Sequence, residues 1–192
     1  VAYGASVYTR GAVAMYLAYL GRRAEALELL VDVVDDFPSA DSPSHWGSWS
    51  LVWMSVEAFA VLDELDRAAS LYPLTQSRLQ GGFVLRGFDA RLLPLLSGVS
   101  AAAGSLWDEA AEHFRVARGQ SARWGPRTVA DVDYWEGWAA MKRRTDVARA
   151  QAQRLLSDAT HGYRSIAMPG HAGLAHGLLA YPPGPPSVRY DW

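Results

Sequence analysis

A 42-residue internal repeat constrains the fold of this chain more than any other feature of its sequence. Four alanines recur at that spacing, at positions 26, 68, 110 and 152. When the chain is aligned on them, two further columns keep their character. The column twelve positions before the alanines holds small residues: Ala14, Val56, Gly98 and Ala140. The column four positions after the alanines holds large residues: Leu30, Tyr72, Phe114 and Leu156. Self-similarity at such a period is typical of arrays in which each unit is one supersecondary motif.

The motif is predicted to be helical. Apart from the short run 82–85, strand signals are absent, and apolar residues recur at the three- and four-residue spacing of amphipathic helices. Pro73 should kink its helix, whereas Pro94 fits a first turn. The predicted helices span residues 3–20, 23–36, 46–62, 65–79, 89–103, 107–121, 128–143, 145–166 and 170–180.

These helices are expected to pair into antiparallel hairpins. Two helices joined by a tight turn approach closely only where side chains are small, so each alanine should face the small residue of the helix before it. Each pair leaves an apolar face open, and the pairs must therefore stack. We predict an all-α fold, a superhelix of about four pairs plus a terminal helix. Arg143 breaks the apolar pattern of the fourth unit, and an irregular helical bundle is the alternative.

Composition excludes several functional classes. The 192 residues include no cysteine, which rules out disulfides, thiolate nucleophiles and cysteine-ligated zinc. The net charge of −2 gives no sign of a nucleic-acid or membrane partner. No apolar run approaches the ~20 residues that span a bilayer. Phosphate-loop and Gly-x-Ser-x-Gly motifs are also missing. We therefore expect a cytoplasmic protein that is not an enzyme.

Charged clusters and histidines favour structural roles. His171 and His176 are five residues apart rather than at the spacing of four that metal sites use on a helix, so no metal or other cofactor is predicted. The acids Asp131, Asp133 and Glu136 are interpreted as stabilising the N-terminal end of a helix dipole. The basic stretch 142–144 is interpreted as a solvated face.

Tryptophan is the most unusual component, with eight in the chain. Trp46, Trp49 and Trp53 share one helical face, and Trp135 and Trp138 share another. Packing in the core or between repeats is the simpler interpretation. The alternative is a binding surface on the concave side of the array, rich in the aromatic and methionine anchors of peptide grooves. Its candidate residues are Tyr8, Met15, Tyr19, Trp53, Glu57, Leu92, Leu95, Tyr134 and Met141.

The order of small, large, turn, alanine, large and proline resembles the tetratricopeptide (TPR) consensus, although a period of 42 exceeds the usual value of about 34. The segments 104–114 and 163–171 resemble the TPR-like C-terminal region of bacterial ATP-dependent LuxR-type regulators and of adenylate/guanylate cyclases that carry an AAA-type ATPase. This resemblance implies that residues 1–181 form a helical repeat domain from a larger protein. Residues 182–192 form a proline-rich tail that we expect to be irregular.

The resemblance also implies a non-catalytic interaction or sensor module in a signalling or transcription-regulatory ATPase. Its expected partner is a protein or peptide, or adjacent domains of the parent chain, with no direct contact to nucleic acid or membrane. Two alternatives remain open at this point. One is a regulatory domain that binds a small-molecule effector, and the other is an enzyme.

Overall fold

The computed structural model describes residues 7–31, 36–38, 46–81, 85–86 and 91–180, and in this part of the chain it is almost wholly helical. The all-α fold class is confirmed. The helices are α1 (Val7–Tyr19), α2 (Arg23–Val31), α3 (Trp46–Val61), α4 (Leu65–Ser70), α5 (Tyr72–Gln80), α6 (Leu93–Ala103), α7 (Trp107–Ser121), α8 (Pro126–Arg143), α9 (Asp146–Ser165) and α10 (Pro169–Ala180). A short antiparallel pairing joins β1 (Leu85–Arg86) to β2 (Arg91–Leu92).

Two predicted helices differ from the observed ones, each for a local reason. The segment 65–79 forms two helices, α4 and α5, with a break at Leu71. Pro73 lies in the first turn of α5, where its missing N–H is tolerated. The helix predicted from residue 89 begins at Leu93, because Arg91 and Leu92 pair with β1. Residues 3–6 and 32–35 and the tail 182–192 lie outside the described residues.

The chain divides into two compact units, Val1–Ala117 and Arg118–Trp192, which we call unit 1 and unit 2. In unit 1, α1 packs on α2 and α3 packs on α4. The first helices of consecutive hairpins also contact one another, α1 with α3 and α3 with α6. In unit 2, α8 pairs with α9 and α9 with α10.

The hairpin turns of unit 1 repeat at the period seen in the sequence. Gly21, Asp63 and Ser105 adopt left-handed backbone conformations with φ of 72°, 60° and 59°. At the first turn, the Arg22 N–H donates to the Leu17 C=O at 2.9 Å and the Gly21 N–H to the Ala18 C=O at 3.0 Å. The same two bonds recur 42 and 84 residues later. This is the Schellman arrangement, which satisfies carbonyls at a helix end.

Three of the aligned alanines lie five residues after these left-handed positions and are buried. Ala26, Ala68 and Ala110 are 0, 0 and 3% exposed. In the third hairpin the small residue lies against the large one, whereas the sequence prediction placed it opposite the alanine. A Cβ added to Gly98 would lie only 2.9 Å from the Phe114 ring, so α6 and α7 approach at a position where only glycine fits without a shift.

In the fourth repeat, the first helix is shifted by three residues relative to the 42-residue alignment. Its left-handed residue is Arg144, eight positions before Ala152 rather than five. Gly137 therefore takes the place predicted for Ala140, and a Cβ there would lie 2.9 Å from Leu156. Ala140, which is buried, takes the apolar position at which the sequence alignment placed Arg143. The assignment of Ala140 to the small column was wrong because Ala152 lies six residues after the start of α9, whereas the earlier aligned alanines lie three residues after the start of their helices.

A further turn with the hydrogen bonds of the unit 1 turns precedes α10, and the sequence alignment did not include it. Ala167 has φ of 56°, and its N–H donates to Arg164 C=O while the Met168 N–H donates to Tyr163 C=O. Ala172, five residues further on, is 3% exposed, like the aligned alanines of unit 1. The connection between α9 and α10 therefore follows the same local rule at a different spacing.

Candidate functional site

The nine candidate residues of the predicted concave surface are mostly interior. Seven of them are at most 9% exposed: Met15, Trp53, Glu57, Leu92, Leu95, Tyr134 and Met141. Tyr19 is half-buried, and the side chain of Tyr8 lies outside the described residues. A partner could reach the seven only if the surrounding helices moved apart. Their part in binding stays a prediction, and their burial favours packing.

The tryptophans on shared helical faces are also buried. Trp49 and Trp53 are 3 and 2% exposed, and Trp135 and Trp138 are 1 and 4% exposed. The rings of Trp135 and Trp138 meet edge to face with centroids 5.5 Å apart, a favourable aromatic geometry. The burial of these four side chains therefore favours a role in packing. The side chain of Trp46 lies outside the described residues.

Three polar side chains form a buried cluster in unit 1. Glu57 is 0% exposed and Arg91 is 3% exposed. A guanidinium Nη2 of Arg91 lies 2.7 Å from the Glu57 Oε1, and the Tyr19 hydroxyl donates to the same oxygen at 2.6 Å. The cluster joins α1, α3 and β2. Nothing in the sequence around Arg91 assigns it a role, because a local pattern does not show that a distant glutamate is buried beside it.

The acids of α8 form interhelical contacts. The Tyr163 hydroxyl donates to Asp131 at 2.7 Å, and Arg118 donates to Asp133 at 2.8 Å and to Glu136 at 2.6 Å. Because α8 begins at Pro126, these acids lie in its second and third turns. The interpretation that they stabilise the N-terminal dipole was wrong. They instead hold the end of α7 and the last turn of α9 against α8.

The groove between α8 and α9, within unit 2, is the strongest candidate for a ligand site. Its volume is about 520 Å³, a size suited to a small organic ligand. Four lining residues are apolar or glycine: Pro126, Val129, Ala130 and Gly162. The other four are polar: Asp133, Ser157, Asp158 and His161. Asp158 and His161 are exposed, whereas Asp133 is 8% exposed and lies deeper.

The carboxyl group of Asp133 has a raised pKa. Burial raises the pKa of its carboxyl above the usual value, the ion pair with Arg118 opposes that rise, and the charges of Asp158 and Glu136 add to it. The groove thus presents carboxylates, a hydroxyl and an imidazole beside an apolar wall. Such a lining suits amines and polyols and repels phosphate groups. The sequence did contain one signal for this site, because Asp158 and His161 are three residues apart on one helical face.

The other histidines with defined contacts have structural neighbours. His113 Nε2 lies 3.1 Å from the Tyr72 hydroxyl, and burial lowers the pKa of this imidazole despite the nearby Glu112 and Glu109. His171 packs against the Tyr163 ring, with centroids 5.2 Å apart. Among the described residues, no three His, Asp or Glu side chains are grouped so that they could hold a metal ion.

The basic stretch at the end of α8 is exposed at Arg143 and Arg144, in agreement with a solvated face. Both lie near the C-terminal end of α8, where positive charge is favourable. No helix in the described ranges has the length and apolar character needed to cross a bilayer.

Comparisons with known proteins gave no relative. No family model, no curated protein and no solved structure matches this chain.

Proposed function

We propose that this chain is a non-catalytic interaction module of the TPR type, built into a larger bacterial signalling ATPase of the cytoplasm. One observation carries the proposal. Three hairpin turns share the same hydrogen bonds at a spacing of 42 residues, and a buried alanine follows each at the same distance. Repeats of this regularity build extended scaffolds whose surfaces bind proteins or peptides. The resemblance of residues 104–114 and 163–171 supplies the ATPase context.

The proposed mechanism is docking on surfaces that the stacked hairpins leave open. Contacts α1 to α3 and α3 to α6 support a continuing stack within unit 1. We propose that such stacking extends into a superhelix. The partner is a protein or peptide, or an adjacent domain of the parent chain. Binding would bias the ATPase by favouring one of its conformations, which requires different affinities for the two states.

The experiment removes residues 7–180 from the parent protein and measures ATP hydrolysis with and without its partner. The expected result is an unchanged basal rate and loss of the change in rate that the partner causes. A matched control carries Asp108→Asn, an exposed position outside the α8–α9 groove, and should respond to the partner like the parent. A parent chain without a nucleotide-binding domain, or a deletion that retains the full response, would contradict the proposal.

The α8–α9 groove favours a second candidate function, regulation by a small-molecule effector. Its carboxylates point to an amine or a polyol rather than a nucleotide. Thermal unfolding in the presence of amines, sugars and nucleotides tests this function. We expect stabilisation by one of the first two classes, and loss of that stabilisation in Asp158→Asn. Asp108→Asn should keep it, and a shift produced by nucleotides alone would contradict the assignment.

A further inference from the structure

An apolar stripe that runs along α1 to the residue just after it occupies the position at which the second and third hairpins meet the hairpin before them. Val13, Tyr16 and Leu20 lie on one helical face and are 42, 53 and 72% exposed. Their equivalents 42 residues later are Ser55, Ala58 and Leu62, which are 0, 0 and 7% exposed. The same face is therefore open in the first hairpin and covered in the second.

The contacts of the second hairpin show what covers this face. Leu51, on the same side of α3 as Ser55, lies against α1, where a Cβ added to Gly11 would meet its Cδ1. The Arg23 guanidinium of α2 donates to the C=O of Leu62. Both elements of the first hairpin thus cover α3.

The third hairpin repeats the arrangement. Ser97 and Ser100, the equivalents of Ser55 and Ala58, are 0% exposed, whereas Gly104, the equivalent of Leu62, is exposed. The Ser100 hydroxyl donates to the C=O of Ala68 in α4, and a Cβ on Gly104 would lie 3.3 Å from the Ala69 Cβ. The second helix of the preceding hairpin therefore presents alanines to this face. Two positions of the stripe that are serine or alanine when covered are Val13 and Tyr16 in α1.

From this equivalence we infer that the Val13–Tyr16–Leu20 stripe binds a further helical hairpin of the same repeat type, supplied by the polypeptide that precedes α1. The exposed stripe, and its continuity with the interface between hairpins, carries this inference. Terminal repeats that face water have a polar outer surface, and α1 has an apolar one. The covering helix needs a glycine or alanine opposite Tyr16, because a tyrosine replaces the small side chain of Ala58 and Ser100.

The inference rests on the repeat architecture that the proposed function also uses, and it does not depend on what the array binds. Its test uses the absence of cysteine from the chain. A single thiol introduced by Val13→Cys is labelled with a maleimide in two proteins. One is the chain 1–192, and the other is the same chain with its preceding polypeptide. The control is Val147→Cys, which replaces an 82% exposed residue in unit 2.

We expect the labelling rate at position 13 to be at least about tenfold lower in the longer protein. This corresponds to an equilibrium constant of about 0.1 or less for opening of the contact between the stripe and the covering hairpin. The rate at position 147 should not change. Tyr16→Asp should lower the unfolding midpoint of the longer protein and leave that of the chain 1–192 within error.

Three outcomes would overturn the inference. The first is an equal labelling rate at position 13 in both proteins. The second is a preceding polypeptide that contains no helical hairpin. The third is protection in the chain 1–192 that rises with its concentration, which would identify a second copy as the occupant. None of these outcomes concerns ATP hydrolysis, so failure here is distinct from failure of the proposed function.

Discussion

Glu57 and Arg91 show how much a single buried residue can matter in unit 1. Both charges are withdrawn from water, and their attraction offsets that loss only while the pair is intact. Tyr19 adds a hydrogen bond to the same carboxylate oxygen. The cluster joins segments that are far apart in sequence, and its partners could not have been read from local pattern.

Glu57→Gln tests this cluster. The substitution removes the negative charge that lies 2.7 Å from the buried Arg91 guanidinium, so we expect the free energy of unfolding to fall by about 3–5 kcal/mol. Chemical denaturation followed by circular dichroism measures it. The control is Glu112→Gln, which breaks the exposed pair with Arg115 and should leave stability within error. Equal stability of the Glu57 variant and the parent would show that the cluster is energetically neutral.

His113 predicts a pH dependence. Its pKa lies below the ordinary value of 6.5 in the folded protein, chiefly because burial disfavours the charged ring. As the pH falls below that value, the unfolded chain takes up a proton that the folded chain does not, so stability decreases. His113→Gln should remove this part of the pH dependence. The measurement is the difference in unfolding free energy between the two proteins at several pH values from neutral to acidic. A difference that stays constant over this range would contradict the assignment.

At the scale of elements, the turns were the most predictable feature. Gly21, Asp63 and Ser105 lie in the short gaps between the predicted helices, and Pro73 marked a real helix break. The three-residue shift in the fourth unit was not predictable. Glycine and alanine both occur in the second half of α8, so either Gly137 or Ala140 could have filled the small column. Only the packing of α8 on Leu156 decides between them.

Ala110→Leu tests the close approach of α6 and α7. Ala110 is 3% exposed, and a larger side chain there should overpack the helix pair and cost about 1–3 kcal/mol. Ala111→Leu, one residue further along the exposed side of α7, is the matched control and should be nearly neutral. Unfolding free energies from urea denaturation compare them. Similar values for the two variants would mean that Ala110 does not limit the packing.

At the scale of the whole molecule, the contacts of each unit run between helices of one hairpin or of neighbouring hairpins. In unit 1, α1 meets α3 and α3 meets α6, and in unit 2 α8 meets α9 and α9 meets α10. Stability in such an array is approximately a sum over repeats and their nearest-neighbour interfaces. A local substitution should therefore have a local effect.

Hydrogen exchange followed by mass spectrometry tests this locality with Gly137→Ala. The added Cβ would press on Leu156, so we expect faster exchange in α8 and α9 and unchanged exchange in α1 to α4. Gly119→Ala is the control, since its Cβ meets nothing within 4 Å, and it should slow exchange slightly or leave it unchanged. Faster exchange throughout the chain would indicate a single cooperative unit instead.

The sequence by itself determined the helical class, most helix boundaries and the hairpin turns, because these depend on local periodicity, proline and left-handed backbone positions. It also determined that the aligned alanines are interior, since small residues at a fixed spacing serve close helix packing. Tertiary structure decided which polar residues are buried together, as in the Glu57–Arg91 pair. It also decided which faces stay open, the α1 stripe and the α8–α9 groove among them. Exposure depends on neighbours that are distant in the chain, and those neighbours leave no signal in a local pattern.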